Sequence, residues 1–335
     1  MFPPGPFAKA LSDEHSLGTR IGGTALSAGG MSGGQGAPQP NSLGALHFFL
    51  AFAVMAVWGS NFVVIKLGLD TLPPFLFVAL RFTLAFVPLA LFLPRPQVPW
   101  RNLAAFGLLI GVGQFGLLFL AMRADISPGL ASLVVQTQVV FTIALSVLIA
   151  RERLKLVQIA AIALAGAGLV VIGLGANGSA TPLGLGLVLL AALSWAAGNM
   201  VVRSAGSVPM LSYVVWSSLF PAPVLFLISF LVEGPAEIAA ALSAAGAGTW
   251  LAVVWQSVGN TMFGYGVWGF LLGRYPAATV TPMALLVPVF GLGTSAVVLG
   301  EALPHWKLAG AGLIIAGLAL GLIRRPRRTV AAEPV

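Results

Sequence analysis

The sequence predicts an all-α integral membrane protein: ten transmembrane helices in two five-helix units that enter the membrane from opposite faces. Three observations predict it. Of 335 residues, 58% are hydrophobic and only 8% charged, against roughly 45–50% and 25% in a soluble domain; so few charges cannot cover a water-facing surface. The apolar residues also fall into runs of about 20, the length a helix needs to cross roughly 30 Å of hydrocarbon. Finally, motifs from the first half of the chain return in the second.

The runs are 46–68, 75–93, 101–121, 128–149, 156–175, 184–203, 211–232, 247–271, 278–299 and 306–323. Short separators divide them: DTLPP, LPRPQVP, RADISP, RERLKL, ANGSATP, GSVP, EGPAE, RYP and EALPH. Several place proline where the next helix begins, the position at which its missing N–H costs least. Backbone groups in hydrocarbon are satisfied only within helices or closed barrels, and runs this long exclude barrel strands. Residues 1–43 are rich in Gly, Pro, Ser and Gln without any period, a composition that cannot repay ordering entropy and predicts a disordered tail. They lack the basic region, apolar core and cleavage site of a secretory signal. Residues 324–335 form a second, basic tail.

Cations set the direction. With the N-terminus in the cytoplasm, inner segments hold Lys9, Arg20, Arg95, Arg101, Arg151, Arg153, Lys155, Arg203, Arg274, Arg324, Arg325, Arg327 and Arg328. Outer segments hold only Arg123 and Lys307, beside Asp70, Asp125, Glu233, Glu237 and Glu301. Such a bias fixes both termini inside. The net charge of +8 is therefore a topology signal, aided by anionic lipid, and the cations do not cluster with aromatics as a nucleic-acid surface requires.

WGSNFVVIK at 58–66 corresponds to WAAGNMVVR at 195–203, and SPGLASLVVQ at 127–136 with VLIARERLKLVQ at 147–158 corresponds to YPAATVTPMA at 275–284 with VVLGEALPHWK at 297–307. Trp58 falls on Trp195 and Glu152 on Glu301. The units are 46–175 and 184–323, and because five is odd the second enters from the opposite face. Glu152 is flanked by Arg151 and Arg153, whereas Glu301 is followed by Ala302 and Leu303, as opposite membrane sides demand. Inverted units around a midplane site are the geometry of many alternating-access carriers. On that reading the two tryptophan stretches wall one central path; the alternative is a duplication retained for packing alone.

Polar groups within hydrocarbon need a partner or a cavity. Asn61, Gln114, Gln136, Gln138, Asn199, Gln256 and Asn260 lie within runs, and each is a candidate for solute contact or for gluing helices together. Gln136 and Gln138, two apart, cannot share a narrow helix face. Trp58, Trp195, Tyr265 and Trp268 are candidate aromatic walls; Trp100, Trp250 and Trp306 sit near run ends as interfacial belt residues. Arg81 lies about seven residues into the second run. An unpaired cation at the bilayer centre costs about 3 kcal/mol on insertion scales. It either snorkels to the outer surface or points inward to a carboxylate, a solute's or that of Asp70. Lys66 and Arg203 are expected as snorkelling anchors, and Glu152 and Glu301 as structural markers of the two surfaces. Gly107/Gly111, Gly269/Gly273 and Gly317/Gly321 permit close helix approach. Pro282 and Pro288 bend the ninth run, as a gate or a static kink.

Absences exclude several functions. No Asp or Glu lies near the centre of a run, which disfavours a proton relay through a mid-membrane carboxylate. There is no cysteine, no HExxH, and His15, His47 and His305 are scattered, so no catalytic residue, metal ligand or cofactor is assigned. A neutral to slightly positive cavity suits a small polar or zwitterionic solute with an apolar portion.

The segments AVWGSNFVVIKLGLDTLPPFLFVALRF (56–82), SPGLASLVVQTQ (127–138), ARERL (150–154), SWAAGNMVVR (194–203), GYGVWGFLLGRYPAATVTPMALLVPVFG (264–291) and GEAL (300–303) resemble the drug/metabolite transporter superfamily. Within it they resemble the EamA family, most closely its O-acetylserine/cysteine exporter branch. The resemblance implies a ten-helix exporter of a bacterial inner membrane with two inverted repeats, an amino-acid-like substrate, no cofactor, the lipid bilayer as its surroundings and a monomer as a compatible state. The family's early Trp-Gly corresponds to Trp58-Gly59, its second-helix arginine to Arg81, and its glutamate after the fourth helix to Glu152, repeated at Glu301. Ala196 departs from the pattern where the first unit has Gly59. A passive channel or facilitator, and a non-transporting membrane receptor or scaffold, are the alternative readings.

Overall fold

The computed structural model describes residues 43–150, 156–176, 179–275 and 277–322. Glu152 and the tails lie outside the described residues. Among the described residues there are only helices and one isolated bridge, Ile126 with Ala180. We number the helices α1 Ala45–Leu69, α2 Pro74–Ala90, α3 Trp100–Ala124, α4 Pro128–Ile149, α5 Leu156–Gly175, α6 Pro182–Ser204, α7 Met210–Glu233, α8 Pro235–Ala244, α9 Ala247–Arg274, α10 Thr281–Leu299 and α11 His305–Leu322. Proline occupies the first turn of α2, α4, α6 and α8. Thr181 caps α6, its hydroxyl accepting from the Gly184 N–H at 2.9 Å.

Each of the ten apolar runs is helical, but among the described residues seven helices are both long and apolar enough to cross a membrane: α1, α3, α4, α5, α6, α7 and α10. An eighth counts if α8 and α9, which meet at 105°, form one span. The shortfall has local causes. α2 has Pro88 inside it and ends at Ala90, ahead of the proline-rich separator, and 17 residues reach only about 25 Å. α11 is described only to Leu322. α8 was not expected: its alanine-rich segment has Pro235 at the start and Glu237 in the first turn, both favourable at a helix N-terminus.

Among the described residues five helices lose regular α geometry: α7 is π-helical at its end, over Ser229–Glu233, and the other four form a paired pattern. α3 is π-helical over Leu109–Gly116 and α9 over Trp255–Phe263. α4 tightens to 3₁₀ over Val135–Thr137 and α10 over Thr281–Leu285. The third and fourth long helices of each half are thus interrupted in the same way. Pro282 begins the 3₁₀ turn of α10, yet α4 makes its equivalent turn from Val-Gln-Thr, so proline alone is not the cause. Pro288 is buried within regular helix.

Packing repeats the same exchange. α5 lies along α11; α1 packs on α10 and α4 on α6; α3 packs on α6 and α9 on α1; α2 packs on α7 and α4 on α10. Swapping the first five long helices for the last five leaves this set unchanged. Small residues allow the approach. A Cβ on Gly59 would strike Phe290 and, at 2.6 Å, the Val287 carbonyl of α10. One on Gly107 or Gly111 would strike Ser217 or Pro221 of α7, and one on Gly317 would sit 2.8 Å from the Ala161 carbonyl of α5.

The substitution Gly59→Leu should therefore cost about 1–3 kcal/mol through overpacking against backbone, lowering the thermal unfolding midpoint in detergent. Gly173→Leu, which meets nothing within 4 Å, should leave that midpoint unchanged; equal effects would remove the packing argument.

Candidate functional site

The polar residues of the apolar runs gather into two groups. In the first, the Trp58 indole N–H of α1 donates to the Asn260 carbonyl at 3.1 Å, and its ring lies 5.5 Å from Tyr265 and 5.6 Å from Trp268. One turn on, the Gln256 amide N–H donates to Asn61 Oδ1 at 2.7 Å. The π segment of α9 supplies both Gln256 and Asn260; an inserted residue there shifts the hydrogen-bond ladder and frees a carbonyl for an outside donor. Gly264 has room for no side chain because the Trp58 ring occupies that space.

The second group joins α4 to α6. Asn199 Nδ2 donates to Gln138 Oε1 at 3.0 Å and to Thr142 Oγ1 at 3.3 Å. Gln136 is buried, whereas Gln138 is half-buried, so the two glutamines diverge as their spacing requires. Trp195 is half-buried against the apolar core and does not meet Trp58. Its neighbour Ser194 instead donates to the Leu109 carbonyl at 2.8 Å, in the π segment of α3. Each half therefore anchors its first helix to a carbonyl in the π segment of the other half's third helix, once with an indole and once with a hydroxyl. Gln114 is buried in the same π segment, and its Oε1 has no partner.

Arg81 is the central feature. It is 1% exposed, which excludes snorkelling. Its guanidinium lies 3.9 Å from the ring centre of Phe115 and 5.0 Å from that of Phe82. Nη2 donates to Thr261 Oγ1 at 3.1 Å, while Nε and Nη1 have no partner. Asp70 is not available to it: that carboxylate pairs with Lys66 at 2.5 Å on an exposed face. Two unmet N–H groups cost about 1–3 kcal/mol each, and burying the charge costs several more. Stacking on two rings returns about 0.5–2 kcal/mol apiece, so the aromatic contacts do not offset the burial. A cavity borders Arg81, walled by Phe82 of α2, Phe106, Ile110 and Phe115 of α3, Val214 and Ser217 of α7, and Thr261 and Tyr265 of α9. Only about 10 Å³ is open to the centre of a water molecule, room for about one water. Among the described residues, no group of His, Asp and Glu is placed to hold a metal.

Comparison with known proteins now decides the family. The model of the EamA-like transporter family matches twice, over residues 45–174 and 182–323. A probable amino-acid metabolite efflux pump of Salmonella typhimurium is 45% identical over 288 residues, 84% of this chain and 96% of its own length. The chain belongs to the EamA-like transporter family. A pump of the same description from Escherichia coli is 42% identical across 82% of this chain and 93% of its own. A probable terminal-alkyne amino-acid exporter of Streptantibioticus cattleyicolor is 29% identical across 84% and 95%. One solved crystal structure, 22% identical, covers 83% of this chain and 96% of its own with a TM-score of 0.57, and shares the fold. Membership of this family makes the protein a multi-pass membrane transporter and not an enzyme.

In this EamA chain, acids of the second half close one end of the bundle onto the first half. Glu301 Oε1 accepts from the Ser127 hydroxyl at 2.5 Å and from Lys307 Nζ at 2.9 Å, and Oε2 accepts from the Gly129 N–H at 2.9 Å. The carboxylate thus sits on the N-terminus of α4, where the helix dipole favours it. Gly129 leaves room for it; a Cβ there would lie 2.9–3.2 Å from the carboxylate. Glu233 does the same for α2, accepting from the Phe75 and Leu76 N–H groups at 2.7 and 3.1 Å. Arg123 pairs with Glu237 at 2.5 Å. Glu301, expected only as a marker of one surface, is a bond between the halves. At the opposite end, His47 meets the Tyr275 hydroxyl at 2.5 Å, and Asn102 Nδ2 donates to the Val201 carbonyl at 3.2 Å. There too lies Arg203, whose Nη1 donates to Ser146 at 3.4 Å.

Thr261, Ser217, Ser127 and Lys307 were missed by sequence reasoning. Hydroxyls inside helices usually bond their own backbone and attract no notice. One signal was available: the offset that sets Trp58 on Trp195 also sets Arg81 on Ser218, next to Ser217.

Because the chain has no cysteine, single introduced thiols report cleanly on the closed end. Leu130→Cys, at a fully buried position of α4, should react slowly with a maleimide and several-fold faster when Glu233→Gln and Glu301→Gln are added. An unchanged rate would mean that these carboxylates do not hold the end shut. Replacing Asn61 or Asn199 by Leu should lower transport in vesicles, and unchanged transport in both would remove these amides from the path.

Proposed function

We propose that the protein exports amino acids and related small metabolites (cysteine, O-acetylserine or larger neutral, including aromatic, amino acids) by alternating access across a bacterial inner membrane. The moving parts are two inverted five-helix units, 46–175 and 184–323, with both termini cytoplasmic. The observation that carries this reading is the paired interruption of the third and fourth long helices of each half beside a buried polar centre. Broken helices at the interface of repeats are where carriers bind solute. The double match of the family model supports the units, the inner bias of Lys and Arg supports the orientation, and the names of the two relatives above 40% identity support the solute class. A single chain contains both units, so a monomer suffices.

The centre favours a carrier over an open channel, because about 10 Å³ of free space passes no amino acid. Ser257 ties α9 to α2, its hydroxyl donating to the Arg81 carbonyl at 2.9 Å; the two helices belong to different units, so rocking one unit on the other acts directly on the contacts around Arg81.

Purified protein in liposomes, offered a panel of amino acids with and without a pH gradient, should give saturable flux with counterflow for one chemical group of solutes. Linear, non-saturating flux would support a channel, and no flux at all would end the reading. Labelling should find thiols beside positions 152 and 301 on opposite membrane faces.

A further inference from the structure

Two unpaired groups face the same central cavity from different halves. Arg81 of α2 leaves Nε and Nη1 unbonded, and Ser217 of α7 leaves its hydroxyl unbonded, although both residues are at least 98% buried. The fully buried neighbouring hydroxyls are already committed: Ser218 donates to the Val214 carbonyl at 2.8 Å, and Thr261 donates to the Gln256 carbonyl at 3.0 Å while accepting from Arg81. The unbonded set is therefore a fixed cation with two free donor nitrogens and one free hydroxyl. No carboxylate among the described residues lies within ion-pair distance of Arg81. Buried donors of this kind are normally satisfied, and the group they lack is an anion that accepts hydrogen bonds. α2 and α7 occupy equivalent places in the two halves and pack on each other, so the pair sits on the seam of the exchange rather than on one wall.

We infer that Arg81 and Ser217 form the subsite for the α-carboxylate of the transported amino acid, with the aromatic face of Phe115 and Phe82 against the carbon next to it. This deepens the exporter reading and rests on it. A guanidinium matches a carboxylate in shape and charge, and the free space beside Arg81, about one water, takes a carboxylate oxygen but not a side chain. The remainder of the solute needs the ring of Tyr265 or Phe115 to move, so this structure holds the site contracted. A seam position lets one arginine hold the carboxylate while either end of the path opens.

The test uses full-length protein in liposomes. Cysteine, leucine and phenylalanine are each compared with their own α-carboxamide, which keeps the side chain and amine but removes the negative charge. Wild type should transport the acid at least about tenfold better than the carboxamide. Arg81→Lys should raise KM about tenfold, Arg81→Met should abolish discrimination between acid and carboxamide, and Ser217→Ala should raise KM several-fold without lowering the unfolding midpoint, since this hydroxyl bonds nothing. Arg81→Met can fail to fold; Ser217→Ala then decides alone. Wild type transporting acid and carboxamide equally, an unchanged KM in Ser217→Ala, or transport by wild type that requires chloride would each overturn the assignment. If wild type moves none of the amino acids, the exporter reading itself falls, an outcome distinct from all of these.

Discussion

In hydrocarbon a backbone N–H or carbonyl has no water to turn to, so a helix that gives up its regular ladder must find another partner. That constraint organises this molecule. Among the described residues the chain relaxes it in five places, and in the π segments of α3 and α9 a backbone carbonyl meets a side chain from the other half: Ser194 at Leu109 and Trp58 at Asn260. The irregular segments are thus the points at which one half grips the other. They also border the buried arginine, whose hydrogen bond to Thr261 comes from the π segment of α9. The contacts of the buried arginine and those between the halves are built from the same departures.

The two ends of the bundle are held by different chemistry. At one end, carboxylates of the second half rest on helix N-termini of the first, Glu301 on α4 and Glu233 on α2. Such contacts combine charge with backbone N–H donors and are lost as a unit once the carboxylate withdraws, because little apolar area is at stake. At the other end the contacts are amide, imidazole and hydroxyl bonds. Between them lie apolar helix pairs whose glycines let backbones meet. These contacts also join one half to the other, but they are apolar and close-packed, whereas the two ends are held by polar groups.

The buried polar groups divide by whether they are satisfied. Asn61 with Gln256, and Asn199 with Gln138 and Thr142, bond to each other across helices and hold the bundle. Arg81 keeps two nitrogens unbonded and Ser217 its hydroxyl, and the Oε1 atoms of Gln114 and Gln256 and the Ser295 hydroxyl are unbonded too. An unmet charge is expensive, and a fold that keeps one at its centre keeps it available. This separates amides paired across helices from a cation left without partners for two of its nitrogens, a distinction that composition and spacing left open.

The sequence by itself determined the solvent, the positions of the apolar helices and the existence of a repeat. Hydrophobic run length, proline punctuation and the return of WGSNFVVIK as WAAGNMVVR are local signals, each complete within a few residues. It could not determine that Arg81 turns inward, that Asp70 is spent on Lys66, that Glu301 reaches α4, or that Trp195 leaves its symmetric task to Ser194. Nor did it reveal α8 or the paired π and 3₁₀ turns, only one of which contains proline. Those outcomes depend on which atoms lie opposite one another after packing. A hydrogen bond is won or lost within a few tenths of an ångström, and only the assembled helices fix that distance.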